Sequence, residues 1–199
     1  EKALKISATN LEVSYSNTVE CSVSKPGKTL VDAAKLISLV GSYKDEALVL
    51  KASPKGVLSI ICGKSEHKLN PTPVDNFPKL EAAGNTPFSV PTNIFAEMLK
   101  RTSYLVTELE ARPNLEGICV ELDKNIFRMI SSDSIRIAKV EYANKENYLV
   151  NFRQTIPKTV LAELISILSF GDTLHFGSDD SKIFFKCGTA SVSSTMLAQ

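Results

Sequence analysis

The chain has no run of about 18 apolar residues of the kind that crosses a bilayer, so no transmembrane helix is expected. Its first residues, Glu1-Lys2-Ala3-Leu4-Lys5-Ile6, place charges where a secretory signal needs an apolar stretch. An initiating methionine is also absent, and the natural N-terminus is expected to lie upstream. Histidine is scarce: only His67, in a polar stretch, and His175, in a strand-like alternation. Zinc binding or acid–base chemistry built on histidine has little to draw on. The four cysteines, Cys21, Cys62, Cys119 and Cys187, form no Cys-x-x-Cys pair. Each lies in or beside a strand-like run, as small buried hydrophobes of a reducing cytosol do. There is no glycine-rich phosphate loop and no His-Glu-x-x-His. Ser132 and Asp133 beside Arg136 have the look of a catalytic cluster, but a nucleophilic serine needs a base, and that segment holds no histidine. No catalytic residue, metal or cofactor is expected. A basic excess is missing too: the net charge is +1, so any contact with nucleic acid must arise from local asymmetry.

What remains is ordinary globular composition over 199 residues, 43% hydrophobic and 23% charged, enough for one large domain or two small ones. An internal repeat decides for two. Lys35–Val40 and Glu163–Leu168 are both apolar at helical spacing. Each is followed by a strand-like run, Ala47–Lys51 or Asp172–Phe176. A turn comes next, Ser53–Gly56 or Gly177–Asp180, and then a second strand, Val57–Gly63 or Ile183–Gly188, each ending in Cys-Gly. Upstream, Leu4–Val13 matches Phe127–Ile137 as strand, small polar turn, strand. The offset stays near 123–128 residues, which makes the repeat a domain rather than a solenoid unit. Chance similarity between short apolar runs is the alternative, and the preserved order of elements weighs against it. The first copy has only Glu1–Ala3 ahead of its opening strand, so it is expected to lack its N-terminal third.

In the second copy, Phe88–Thr92 predicts a short strand running into a helix with Pro91 in its first turn. Ile94, Phe95, Met98 and Leu99 form the apolar stripe of that helix. Gly117–Leu122, Ile126–Ser131 and Ser134–Tyr142 predict three strands, and Ala143–Leu149 a polar loop. A second helix opens at Thr155–Thr159, with Val160, Leu161, Leu164, Ile165 and Leu168 as its inward stripe and Gly171-Asp172 at its end. Three closing strands follow. Each copy is therefore an α+β domain, a mostly antiparallel sheet with two helices on one side.

Four segments carry a family resemblance. Ile6–Glu12 resembles an Ala-Thr-Asp-Leu-Glu strand turn, and Asn76–Leu80 a Phe-Pro-x-Leu junction between domains. Arg112–Gly117 resembles the segment that opens a second domain's sheet. Ser131–Ala138 resembles Ala-Thr-Asp-Gly-His-Arg-Leu-Ala, with Ser134 and Ile135 in place of Gly-His and Ser132 in place of Thr. In this order the motifs, which cover nearly the whole chain, resemble the DNA polymerase III beta subunit family of DNA sliding clamps. The resemblance implies a first clamp domain over residues 1–84, truncated at its start, a second over 85–199, and no third.

It also implies a function without bond chemistry. Two three-domain subunits close a ring on duplex DNA, and the ring tethers the replicative polymerase, the clamp loader and repair polymerases through short peptides. The DNA contact would be sequence-independent, and the setting cytoplasmic. The family's helices line the hole, which implies Lys35, Lys100, Arg101 and Lys158 as DNA-facing residues; a solvated charged helix face is the ordinary alternative, and Asp32, Glu97 and Glu163 dilute the positive field. The peptide pocket falls on Leu115, Ser132, Ser134, Ile135, Arg136 and Ile137, with Arg112 and Asn114 at its edge. Leu115 and Ile137 are equally readable as strand core. A non-enzymatic scaffold of the same fold that binds proteins and encircles no DNA is the rival function.

Overall fold

In the computed structural model, residues 2–43, 47–73, 77–78, 80, 84–106 and 115–197 are described. The chain opens with strands β1 (Ala3–Thr9) and β2 (Val13–Glu20). Helix α1 (Ala33–Gly41) follows, capped by the Asp32 carboxylate, which accepts the Lys35 N–H at 2.8 Å. Next come β3 (Val49–Ala52), β4 (Leu58–Cys62), β5 (Ser65–Leu69) and β6 (Phe88–Pro91). Helix α2 (Thr92–Thr102) leads to β7 (Gly117–Asp123), β8 (Ile126–Ser132), β9 (Ile137–Ala143) and β10 (Phe152–Pro157). Helix α3 (Leu161–Ile167) precedes β11 (Thr173–Ser178), β12 (Lys182–Cys187) and β13 (Ala190–Thr195).

Two compact units result. The smaller, residues 1–3 and 20–80, is the antiparallel sheet β3-β4-β5 with α1. Its core is Leu58, Ile60 and Leu69, with Val31, Leu36, Leu39, Tyr43 and Leu48 packed on it. The larger, residues 4–19 and 81–199, contains a six-stranded sheet, β1-β2-β13-β12-β11-β6, and a four-stranded one, β10-β7-β8-β9. The division differs from one at residue 84. Leu4–Val19 groups with the later residues because β2 pairs antiparallel with β13, Val13 opposite Ser194 through Asn17 opposite Ala190.

The larger core is aromatic. Phe176 on β11 lies 5.6 Å from Phe88 on β6, 5.5 Å from Phe127 on β8 and 5.3 Å from Phe152 on β10, ring centre to ring centre. Phe95 on α2 touches Phe127 and Phe185, at 6.0 and 6.3 Å. Rings from both sheets and from α2 thus share one cluster. Each such pair adds about 0.5–1.5 kcal/mol beyond its buried area.

The repeat appears atom by atom. Asn10 Oδ1 accepts the N–H groups of Glu12 (3.1 Å) and Val13 (2.7 Å), and Asp133 Oδ1 accepts those of Ile135 (3.0 Å) and Arg136 (2.7 Å). The Thr9 hydroxyl donates to the Val13 carbonyl and accepts the Leu11 N–H; the Ser132 hydroxyl donates to the Arg136 carbonyl and accepts the Ser134 N–H. Leu11 and Ser134 both take positive φ, +79° and +76°. After the Cys-Gly pairs, Gly63 and Gly188 turn at φ +54° and +55°. A Cβ on Gly188 would stand 2.0 Å from the Phe170 carbonyl oxygen, so only glycine fits there.

Several expectations are corrected. Strand β10 occupies residues where the second helix was expected to open, and α3 itself begins only at Leu161. On α3, Ile167 is buried and Ile165 is 55% exposed, so the inward stripe runs through Ile167 instead. Strand β9 begins at Ile137 rather than Ser134, because Asp133–Arg136 closes the turn. Of the cysteines, Cys62 and Cys187 are buried, Cys119 is half-buried and Cys21 is exposed. In the smaller unit, α1 is the one helix among the described residues.

Candidate functional site

Alternation along β8 sets up the site. Phe127, Met129 and Ser131 point into the core. Arg128, Ile130 and Ser132 point the other way, and the cross-strand register extends this outer face sideways. Ser132 sits opposite Ile137, Ile130 opposite Lys139, and Arg128 opposite Glu141. On the other side Ile130 faces Cys119, which in turn faces Thr155.

Most of this outer face is charged and paired. Arg128 Nε holds Glu141 at 2.7 Å, Lys139 reaches the same carboxylate at 2.9 Å, and Arg153 holds Glu121 at 3.2 Å. Arg128 also lies 4.0 Å from Asp123, so three cations meet three carboxylates. Surface pairs of this kind contribute little stability, but they leave the charges matched. One corner is apolar. Ile137 is 73% exposed, with half-buried Ile130 and Cys119 on the same face, and Ile135 in the turn before it is 92% exposed. Burial pushes the Cys119 thiol above its usual value against an opposing hydrogen bond from Arg153, which keeps it a neutral, weakly polar surface. Side chains this exposed belong to the surface and not to the core.

The turn that presents them is rigidly wired. Asp133 accepts two backbone N–H groups through Oδ1, and its Oδ2 takes a forked pair from Arg136, Nη2 at 2.7 Å and Nε at 2.9 Å. The Arg136 N–H, then the Arg136 guanidinium, then the Ile135 N–H hold the Asp133 carboxyl down at about 2. Ser134, left-handed at φ +76°, is held in this turn by the Ser132 hydroxyl.

Of the residues expected in a peptide pocket, the structure brings together Ser132, Ser134, Ile135, Arg136 and Ile137. Leu115 is half-buried, two residues ahead of β7. Arg112 and Asn114 lie outside the described residues. The strand-core alternative for Ile137 does not hold, since it stands in solvent. Sequence reasoning missed Ile130 and Cys119. Their parity with Arg128 and Glu121, which must face water, was the available signal.

The expected DNA-facing cations are all exposed, spread over three elements. Lys35 is on α1. Lys100 and Arg101 end α2, and Arg101 Nε is bound to Glu97 at 2.7 Å, which offsets its charge. Lys158 is in the 3-10 turn before α3 rather than on the helix, its N–H donating to the Glu116 carbonyl at 2.9 Å.

A family model described as DNA polymerase III beta subunit, N-terminal domain, matches residues 1–81, and one described as DNA polymerase III beta subunit, central domain, matches residues 89–198. A beta sliding clamp of Pseudomonas putida is 24% identical over 168 residues, covering 83% of this chain and 46% of its own length. One of Haemophilus influenzae is 24% identical over 188 residues, 92% of this chain and 51% of the relative. The chain thus spans about half the length of the curated relatives it matches. A DNA polymerase sliding clamp of Bacillus subtilis superposes with a TM-score of 0.90 at 19% identity, over 100% of this chain and 55% of that one. The DNA polymerase beta subunit of Streptococcus pyogenes gives 0.88 at 22% identity, over 100% and 54%. At these identities the solved structures establish the fold.

The turn generates a pH prediction. The folded Asp133 carboxyl, at about 2, lies below its unfolded value of about 3.9. Its stabilising effect is therefore present above about pH 4 and is lost as pH falls toward 2. An NMR titration of the Asp133 carboxyl carbon should show a midpoint near 2, with the Ile135 and Arg136 amides unmoved at pH 4. Asp133→Asn should keep both backbone contacts, as Asn10 does in the first turn, and remove the titration. A midpoint near 3.9 contradicts this account of the turn.

Proposed function

Because the chain belongs to the DNA polymerase III beta subunit family, we propose that it works as part of a non-catalytic DNA sliding clamp. In this reading residues 1–84 belong to a first clamp domain and residues 85–199 to a second, in a subunit built of three such domains. Two subunits close a cytoplasmic ring around duplex DNA. The ring tethers the DNA polymerase III catalytic subunit, the clamp loader and repair polymerases through short peptides.

One observation carries the proposal: two exposed isoleucines, Ile135 and Ile137, stand on a stiff turn whose sequence resembles the family's Ala-Thr-Asp-Gly-His-Arg-Leu-Ala segment. An extended peptide that lays a leucine or aromatic side chain against Ile137 and Ile130 removes apolar surface from water, and a preorganised turn loses little entropy in receiving it. Leu115 belongs to this surface in the proposal, as the family resemblance implies. Arg136, already engaged by Asp133, frames the rim rather than ion-pairing with the peptide.

The DNA side asks less of the protein. Sliding needs phosphate attraction without base contacts, and long-range attraction from Lys35, Lys100, Arg101 and Lys158 meets that need. With Arg101 paired to Glu97, Lys100 is the stronger contributor on α2.

Ile137→Asp should weaken binding of a synthetic hexapeptide carrying adjacent leucine and phenylalanine by at least about tenfold, or roughly 1.4 kcal/mol. Because Ile137 is exposed, melting should change little. A folded Ile137→Asp variant with unchanged affinity removes the docking assignment. On the DNA side, Lys100→Ala should flatten the slope of log affinity against log salt by about 1 for duplexes of any sequence. A scaffold that binds proteins alone would keep the peptide result and show no such slope.

A further inference from the structure

Ser131 stands where the segment it resembles has alanine, and its hydroxyl is not idle. It is 3% exposed and donates to the Thr102 carbonyl at 2.6 Å. Thr102 is the last residue of α2, where the chain tightens into a 3-10 turn over Ser103–Leu105. Thr102 is itself fully buried, and its own hydroxyl turns back to the Met98 carbonyl at 2.9 Å. A side chain from β8, 29 positions along the chain, therefore supplies a donor to the helix end.

The place of this bond matters more than its strength. Ser131 is the last inward residue of β8. Ser132, the next residue, faces outward and starts the docking turn, donating to the Arg136 carbonyl and accepting the Ser134 N–H. Phe127 and Met129, the other inward residues of β8, hold the strand by non-directional packing. The Ser131–Thr102 bond is directional and sits at the strand's end, where a small rotation about the strand would swing the whole turn.

We propose that Ser131 is a positioning residue for peptide docking: by bonding the end of α2 it locks β8 at the mouth of the turn, so that Ile135 and Ile137 are presented in one arrangement. The proposal rests on the reading of that surface as a peptide site. Past Ile130 the β7 register has ended and the strand is paired with β9, Ser131 opposite Ala138 and Ser132 opposite Ile137. Without the hydroxyl, the buried Thr102 carbonyl loses this donor and the end of β8 loosens on its β7 side. Docking must then order the turn as well as cover it.

The test compares Ser131→Ala with Ile183→Val, a fully buried position on β12 away from the turn. Both are expected to lower the melting temperature. Ser131→Ala should weaken the leucine–phenylalanine hexapeptide by roughly fivefold and speed hydrogen exchange at the Arg136 amide, whereas Ile183→Val should do neither. Affinity and exchange in Ser131→Ala equal to wild type overturn the proposal. So does an equal loss in Ile183→Val, which would make the effect one of general stability. If the wild-type chain does not bind the peptide, the docking reading fails by itself. The exchange arm still decides the lock: faster exchange confined to Ser131→Ala supports it, and unchanged exchange overturns it.

Discussion

Everything proposed for the outer surface depends on Phe176. Its ring meets Phe88 within its own sheet, and Phe127 and Phe152 from the four-stranded sheet. This fixes the four-stranded sheet by its inner face, with α2 wedged in through Phe95. Once Phe127 and Phe152 are committed inward, the pleat leaves Ile130, Ser132 and Ile137 no choice but to face out. The exposed apolar corner is thus a geometric consequence of a packed aromatic core, not a local accident. A large-to-small change in that cluster would disturb the site without touching it.

The two faces of β8 and β9 do different work. Inside, packing is dense and almost wholly apolar. Outside, the cations Arg128, Lys139 and Arg153 are offset by the carboxylates Asp123, Glu141 and Glu121, which leaves little net field to attract a charged partner. The docking proposed there rests on shape and apolar contact, which suits a short peptide with hydrophobic anchors. The helices proposed to face DNA carry few cations, one of them, Arg101, offset by Glu97.

Much of this was legible in the residues. The two strand turns were legible as small polar stretches between strands, and the structure gives the reason for the likeness: Asn10 and Asp133 each follow a hydroxyl residue and satisfy two backbone N–H groups in the same way. The Cys-Gly pairs were legible because only glycine turns cheaply at positive φ. Strand β10 was not. Phe152, Ile156 and Pro157 are all buried, which breaks the period of two, and a proline before an apolar run reads as a helix start. The face of Ile137 was left open although the sequence held the answer: it shares parity with Lys139 and Glu141, which must reach water. Pairing of Leu4–Val19 with β13 was beyond reach, since hydrophobic pattern names a strand's buried side and not its distant neighbour.

The central claim is that the outer corner of β8 and β9 receives an extended apolar peptide. It is tested most directly by titrating the isotope-labelled chain with the leucine–phenylalanine hexapeptide and following backbone amides by NMR. The account predicts saturable shifts at Ile130, Ser132 and Ser134–Ile137, with the amides of α1 and of β11–β13 unmoved. Shifts that bypass Ser132–Ile137 while others move, or no shifts at saturating peptide, would contradict it.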